Sequence, residues 1–158
     1  MECYTQPFIE VGQYVFREFM GTQIVAASPY FSDKDTLKAW DISSLIGFSG
    51  QAQGIVALSM NRNLAIQLTD ILTGTPHTTI DQDTRDALGE IINIIAGNAK
   101  QRLEKTLKLI ISLPRIIVGE EHTLQWLAEM SHLLCIPFTI FEHEVFILSI
   151  ALKRVTDP

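Results

Sequence analysis

The segment Asp86-Ala-Leu-Gly-Glu-Ile-Ile-Asn-Ile-Ile-Ala-Gly-Asn-Ala-Lys100 repeats polar residues at the spacing of a helix. At about 100° per residue, with Asp86 as origin, Glu90 falls at about 40°, Asn93 at about −20°, Gly97 at about 20° and Lys100 at about −40°. All five share one narrow stripe. Ala87, Leu88, Ile91, Ile92, Ile94, Ile95, Ala99 and Leu103 occupy the opposite arc. A carboxamide can donate to and accept from one water while staying neutral, and a carboxylate one turn away can pair with a cation. A short Asn between two Ile-Ile pairs is a poor helix former, and glycines at 89 and 97 each cost roughly 1 kcal/mol against alanine. An ordinary solvated face would carry more Lys, Glu and Gln. The plain alternative is an amphipathic helix whose exposed polar residues have no chemistry, and the pattern alone leaves both readings open.

The elements that must carry this stripe can be read from periodicity. A first helix is expected with Pro7 in its first turn, where a missing N–H costs little, with Phe8, Val11, Val15 and Phe19 on its apolar face and Gly21 as its stop. Extended chain follows from Gln23 to Tyr30, then a loop from Ser32 to Asp35. Two strands, Trp40 to Phe48 and Gln53 to Met60, flank a turn at Ser49-Gly50-Gln51. Asn61 or Asn63 caps a short helix, Leu64 to Leu72, closed by Gly74 and Pro76. The stripe helix starts near Asp81 to Thr84 and is expected to reach about Leu107. Beyond it, Leu109 to Leu113 and Arg115 to Val118 flank Pro114, which marks an edge or bend. Gln125 to Met130 reads equally as a helical turn or a loop. Leu133 to Phe141 and Val145 to Lys153 form a hairpin around Glu142-His143-Glu144. The order α-β-β-β-α-α-β-β-β predicts an α+β fold, with helices packed on a mainly antiparallel sheet.

Composition narrows the function classes. A chain of 158 residues with 47% apolar and 19% charged residues can bury one core, so a single domain over residues 1–158 is expected. Lys and Arg number 12 against 18 Asp and Glu, a net charge of −6, which argues against binding nucleic acid or anionic lipid. Cys3 and Cys135 form neither a C-x-x-C pair nor a disulfide framework. The N-terminus lacks a basic region followed by an apolar core, and no apolar run nears the ~20 residues that span a bilayer. A cytoplasmic protein is expected.

Asp86-x3-Glu90-x2-Asn93 followed by Ile-Ile-Ala-Gly97-Asn-Ala-Lys100 resembles the signature of the CheX/CheC/FliY family of response-regulator phosphatases, CheX most of all. Gly50-x3-Gly54-Ile-Val and Pro7-Phe8-Ile9 extend the resemblance over nearly the whole chain. Pro114 follows Asn93 with 20 residues between, slightly fewer than the family pattern has before its proline. The resemblance implies a CheC/CheX-like fold and hydrolysis of the aspartyl phosphate of a CheY-like receiver. It implies Asn93 as the group that orients the attacking water, and Glu90 as the partner of the receiver's active-site lysine. Asp86 fits the family's acidic or serine position and would assist docking; apart from the resemblance, Gly97 on the stripe would let a partner backbone come close and Lys100 would meet an acidic rim on the partner. No cofactor of the chain's own is implied, because the receiver brings its Mg²⁺. The competing function is a non-catalytic receiver-binding module related to flagellar switch domains, which could keep the fold and lose the Glu/Asn pair. A homodimer is implied too, with the apolar strands Phe138 to Phe141 and Val145 to Ile150 extending a sheet across subunits.

Other candidates are weaker. His77, His122, His132 and His143 lie far apart, with no cysteine at ligand spacing, so no metal site is expected. Ser43-Ser44 and Ser49-Gly50 lack a nucleophile-elbow context, and Gly50 to Gly54 lacks the lysine of a phosphate loop. Trp40 and Trp126 read as packing residues, and Cys135 as a buried thiol. In the first helix, Glu10-Val-Gly-Gln13 keeps a carboxylate and a longer carboxamide, but Gln6 stands at the acidic position and no Ala-Gly-Asn follows. It reads as a degenerate echo of the main stripe.

Overall fold

A computed structural model describes residues 2–33, 37–129 and 132–155. Its helices are α1 (Glu2–Met20), α2 (Arg62–Thr73), α3 (Gln82–Leu103) and α4 (Glu120–Glu129). Its strands are β1 (Val25–Ala26), β2 (Tyr30–Ser32), β3 (Ile42–Gly50), β4 (Ala52–Met60), β5 (Leu109–Ile111), β6 (Arg115–Val118), β7 (Leu133–Ile140) and β8 (Glu144–Arg154). One eight-stranded sheet runs β1-β7-β8-β4-β3-β5, with β2 also on β7 and β6 also on β3. Every pairing is antiparallel. The α+β architecture is as expected.

Alternation along the strands builds the core. Ile42, Ile46 and Phe48 of β3, Val56, Leu58 and Met60 of β4, Leu134, Ile136 and Phe138 of β7, and Phe146, Leu148 and Ile150 of β8 share one buried cluster with α1, α2 and α3. Phe146 stacks at 4.9 Å on Phe16 and at 5.2 Å on Phe138. The other face carries a smaller cluster of Trp40, Leu127, Leu133, Cys135 and Ile147, with Trp126 packed against it. Both tryptophans are thus packing residues, and burial pushes the Cys135 thiol up, away from reactivity. None of the described helices is long and apolar enough to cross a membrane.

Several boundaries differ from expectation for physical reasons. Helix α1 begins at Glu2, so Pro7 lies inside it and forgoes one backbone bond in the second turn. Its buried face is Phe8, Val11, Val15, Phe16 and Met20, while Phe19 is 51% exposed. The extended chain expected from Gln23 to Tyr30 holds two short strands, β1 and the start of β2. The Pro137 carbonyl accepts from Ala27 N–H at 2.8 Å. In a strand, N–H and C=O of one residue point the same way, so the donor that proline lacks is missing where β1 gives way to β2. The loop expected from Ser32 to Asp35 begins one residue late, since Ser32 pairs with Leu133 in β2, and Lys34 and Asp35 lie outside the described residues. Helix α2 uses Asn61 as N-cap, but its side chain makes no capping bond. The Asp41 carboxylate accepts instead from Arg62 N–H at 2.7 Å. Helix α3 starts in a capping box, Asp81 with Thr84, and stops at Leu103, four residues early. Helix α4 resolves the ambiguous stretch near Gln125, opening just after Gly119, whose φ is +105°; Met130 lies outside the described residues. Strands β7 and β8 are not edges. Both sides of each are paired, which overturns the expectation that they extend the sheet to a second subunit.

The connection between α2 and α3 is tied by His77. Its Nδ1 lies 2.9 Å from Asp70 Oδ1 and its Nε2 lies 2.9 Å from Asp83 Oδ2. Carboxylates only accept, so the ring donates from both nitrogens and is an imidazolium. Asp83, then Asp70, raise its pKa from 6.5 to about 9, against burial. Because the folded value is the higher one, this stabilisation is complete below about pH 6.5 and is lost as pH rises through 9. Thermal midpoints of the parent should therefore fall between pH 6.5 and 9 more steeply than those of His77→Gln. Parallel curves would show that the clip contributes nothing.

Candidate functional site

Helix α3 presents the stripe as its spacing requires. Asp86, Glu90 and Asn93 are exposed, Gly97 and Lys100 are half-buried, and the opposite arc from Ala87 to Leu103 is buried apart from a half-buried Ile94. The N-terminal half of α3 and the β5–β6 corner enclose a shallow depression of about 560 Å³. Asp86, Glu90 and Asn93 line it together, with Pro114 and Ile116 opposite. Gly89 explains the close seating of that corner. A Cβ there would meet Pro114 Cγ at 3.6 Å and Ile116 Cδ1 at 3.8 Å, so a side chain longer than alanine would push the wall away. Pro114, which in the sequence marks a strand edge or bend and a spaced family residue, is thus a wall of the site.

The groups in the depression differ in their freedom. The Asp86 carboxylate accepts from Gln82 Nε2 at 2.8 Å, one turn back. Among the described residues, the side chains of Glu90 and Asn93 make no hydrogen bond or ion pair, so both offer full capacity to an incoming molecule. Gly97 and Lys100 continue the stripe outside the depression. A Cβ at Gly97 would touch nothing within 4 Å, which leaves the α3 backbone open to close approach from outside. Lys100 Nζ lies 3.5 Å from Glu104 Oε1 on its own helix.

The first-helix echo is built differently. Glu10 Oε2 accepts from Arg102 Nη1 at 2.6 Å, and its Oε1 from Gln6 Nε2 at 3.3 Å. Its carboxylate ties α1 to α3 instead of standing free. His77, Asp81 and Asp83 bring possible metal-ligating atoms within 4.8 Å of one another. Both His77 nitrogens, however, already donate to carboxylates, and Asp81 caps α3. The charge pattern there is that of an ion pair.

The family model for the chemotaxis phosphatase CheX matches residues 42–139, which include β3, all of α3 and the Pro114 wall. The chain belongs to the CheX family. The CheY-P phosphatase CheX of Thermotoga maritima is 24% identical over 112 residues, 70% of each protein. The crystal structure of chemotaxis protein CheX from Desulfovibrio desulfuricans superposes with a TM-score of 0.79 at 26% identity, covering 95% of this chain and 99% of that one. CheX in the CheX–CheY–BeF3–Mg²⁺ complex from Borrelia burgdorferi gives a TM-score of 0.79 at 23% identity, covering 96% and 98%. The CheX fold expected from the stripe motif is therefore the fold observed, and α3 lies within the matched segment.

Proposed function

We propose that this CheX-family chain hydrolyses the aspartyl phosphate of a CheY-like receiver, with α3 as the catalytic helix. The observation that carries the reading is the exposed pair Glu90 and Asn93, whose side chains have no partner among the described residues and which line one depression together. Acyl phosphates are already activated, and their hydrolysis needs an in-line water and charge stabilisation more than covalent help. The Asn93 carboxamide accepts from the water and donates to it or to a phosphoryl oxygen, with no negative charge to repel the phosphate. Water attacks phosphorus, the P–O bond to the receiver's aspartate breaks, the receiver keeps its aspartate as a free carboxylate, and inorganic phosphate leaves with the water's oxygen. Glu90 sets the register by pairing with a receiver lysine, and Asp86, Gly97 and Lys100 complete the docking surface. The Mg²⁺ required by such chemistry arrives with the receiver, as the Borrelia complex, which holds CheY, BeF3 and Mg²⁺, suggests.

The experiment is phosphate release from a panel of phosphorylated receivers with and without the chain. Faster release from at least one receiver is expected. Tight binding to a beryllofluoride-loaded receiver without faster release would instead establish a non-catalytic receiver-binding module. The resemblance also supports a homodimer. Since β7 and β8 are interior, the free sheet edges are β1 with β2 and β5 with β6, and Val25 and Phe31 on the first are 67% and 57% exposed. Light scattering at micromolar concentration should give about twice 17.7 kDa, and a monomer mass would reject the dimer.

A further inference from the structure

The depression beside Asn93 contains a cation that the stripe motif does not include. Arg85 is exposed and is the only Lys or Arg among the described residues that line it. Of the five other arginines, Arg17 is engaged with Glu18, Arg62 with the Thr78 carbonyl, Arg102 with Glu10 and Arg154 with the Thr106 carbonyl, while Arg115 on β6 has no side-chain partner among the described residues and does not line the depression. The Arg85 side chain has no hydrogen bond or ion pair among the described residues. Its acidic neighbours make their contacts with other groups. Asp81 accepts from Thr84, Asp83 from His77, and Asp86 from Gln82. Glu90, five residues on, lies about 140° around the helix axis, so the two cannot pair across α3. Around the α3 axis Arg85 lies about 80° from Asn93, on the side of Gly89, which faces Pro114, and Glu90 lies about 60° from Asn93 on the other side; along the axis Arg85 is about 12 Å N-terminal to Asn93.

Its position is also unfavourable for the helix. Arg85 is the fourth residue of α3, at the end of the first turn, where exposed backbone N–H groups favour anions and disfavour cations. A charge placed for folding would have the opposite sign.

We propose that Arg85 is a docking residue that pairs with an anionic group of the incoming receiver on the bank opposite Glu90. The site would then read its partner through two opposite charges flanking Asn93. This rests on the receiver-phosphatase reading and names the partner chemistry of the same site. A receiver that holds Mg²⁺ and an aspartyl phosphate offers two anionic sources: the carboxylates of its metal site and the phosphoryl oxygens. Within a chain of net charge −6, a local cation supplies attraction that the protein as a whole does not.

The test compares the parent with Arg85→Gln, Arg85→Lys and Arg85→Glu on a phosphorylated receiver that the parent dephosphorylates. Arg85→Gln should raise KM about 5-fold at low ionic strength with kcat within about 2-fold, as loss of a rim charge does. Arg85→Glu should raise KM further, and Arg85→Lys should restore most of the parent value. The rise of KM with salt should be shallower in Arg85→Gln, because one screened attraction is gone. Its melting temperature should be no lower than the parent's. An unchanged KM and salt dependence, a loss confined to kcat, or a marked fall in melting temperature would each overturn the proposal. Binding to free and beryllofluoride-loaded receiver separates the sources: weakening of both forms assigns the receiver carboxylates, and weakening of the loaded form alone assigns the phosphoryl oxygens. Should the parent release no phosphate from any receiver, the phosphatase reading fails by itself. The binding arm still decides Arg85, and equal binding by parent and Arg85→Gln would overturn it.

Discussion

Asn93→Ala is expected to lower receiver dephosphorylation about 100-fold, roughly 3 kcal/mol of transition-state stabilisation, the size typical of losing one positioned polar group. The loss should fall on kcat. Among the described residues the Asn93 side chain makes no hydrogen bond, so its removal leaves no described partner unsatisfied, and alanine is the better helix former there. Glu90→Ala should differ by raising KM as well as lowering kcat, because it removes a charge-assisted contact present both before and during reaction. Initial rates of phosphate release over a range of receiver concentrations distinguish the two patterns. If Asn93→Ala raised KM alone, Asn93 would be a docking residue.

Gly54→Ala is expected to be the most damaging single methyl group in the chain. Gly54 lies in β4 opposite Leu152 of β8, in the middle of the sheet. A Cβ at Gly54 would overlap the Ala151 carbonyl oxygen and come within 2.8 Å of Leu152 Cα. Both obstacles are backbone, so no side chain can rotate away, and relief requires β4 and β8 to separate. The cost should be about 3 kcal/mol or more, a large share of the 5–15 kcal/mol that stabilises a typical domain. Gly47→Ala is the control. Its Cβ would meet Ser112 Oγ at 3.5 Å, an ordinary contact, so a change below about 1 kcal/mol is expected. Denaturant midpoints of the two variants check the contrast, and equal midpoints would refute it.

The parts legible in the sequence were those governed by local periodicity. The α3 stripe could be placed because short polar residues and glycines interrupt Ile-Ile pairs at helical spacing, and the β3–β4 and β7–β8 hairpins because turn residues divide apolar runs. What stayed hidden depends on distant partners. The β1–β2 break depends on Pro137, and the α2 cap on Asp41, 21 residues before the N–H it accepts from. Helix α4 has few apolar positions and is held by Thr123 Oγ1, which donates to the carbonyls of Trp40 and Gly119. Strands β7 and β8 read as free edges because an apolar run looks the same at an edge and in the centre of a sheet. In the site, Glu90 and Asn93 were visible as a spaced pair, but the seating of Pro114 on Gly89 and the isolation of Arg85 exist only in three dimensions.

The most direct measurement is single-turnover decay of a phosphorylated CheY-like receiver, mixed with an excess of the parent chain or of Asn93→Ala. Binding of each to the beryllofluoride-loaded receiver is measured alongside. If α3 is the catalytic helix, the parent shortens the phosphate lifetime well below that of the receiver alone. Asn93→Ala should bind equally well yet leave the lifetime close to the receiver's own. Decay as fast with Asn93→Ala as with the parent would contradict the account.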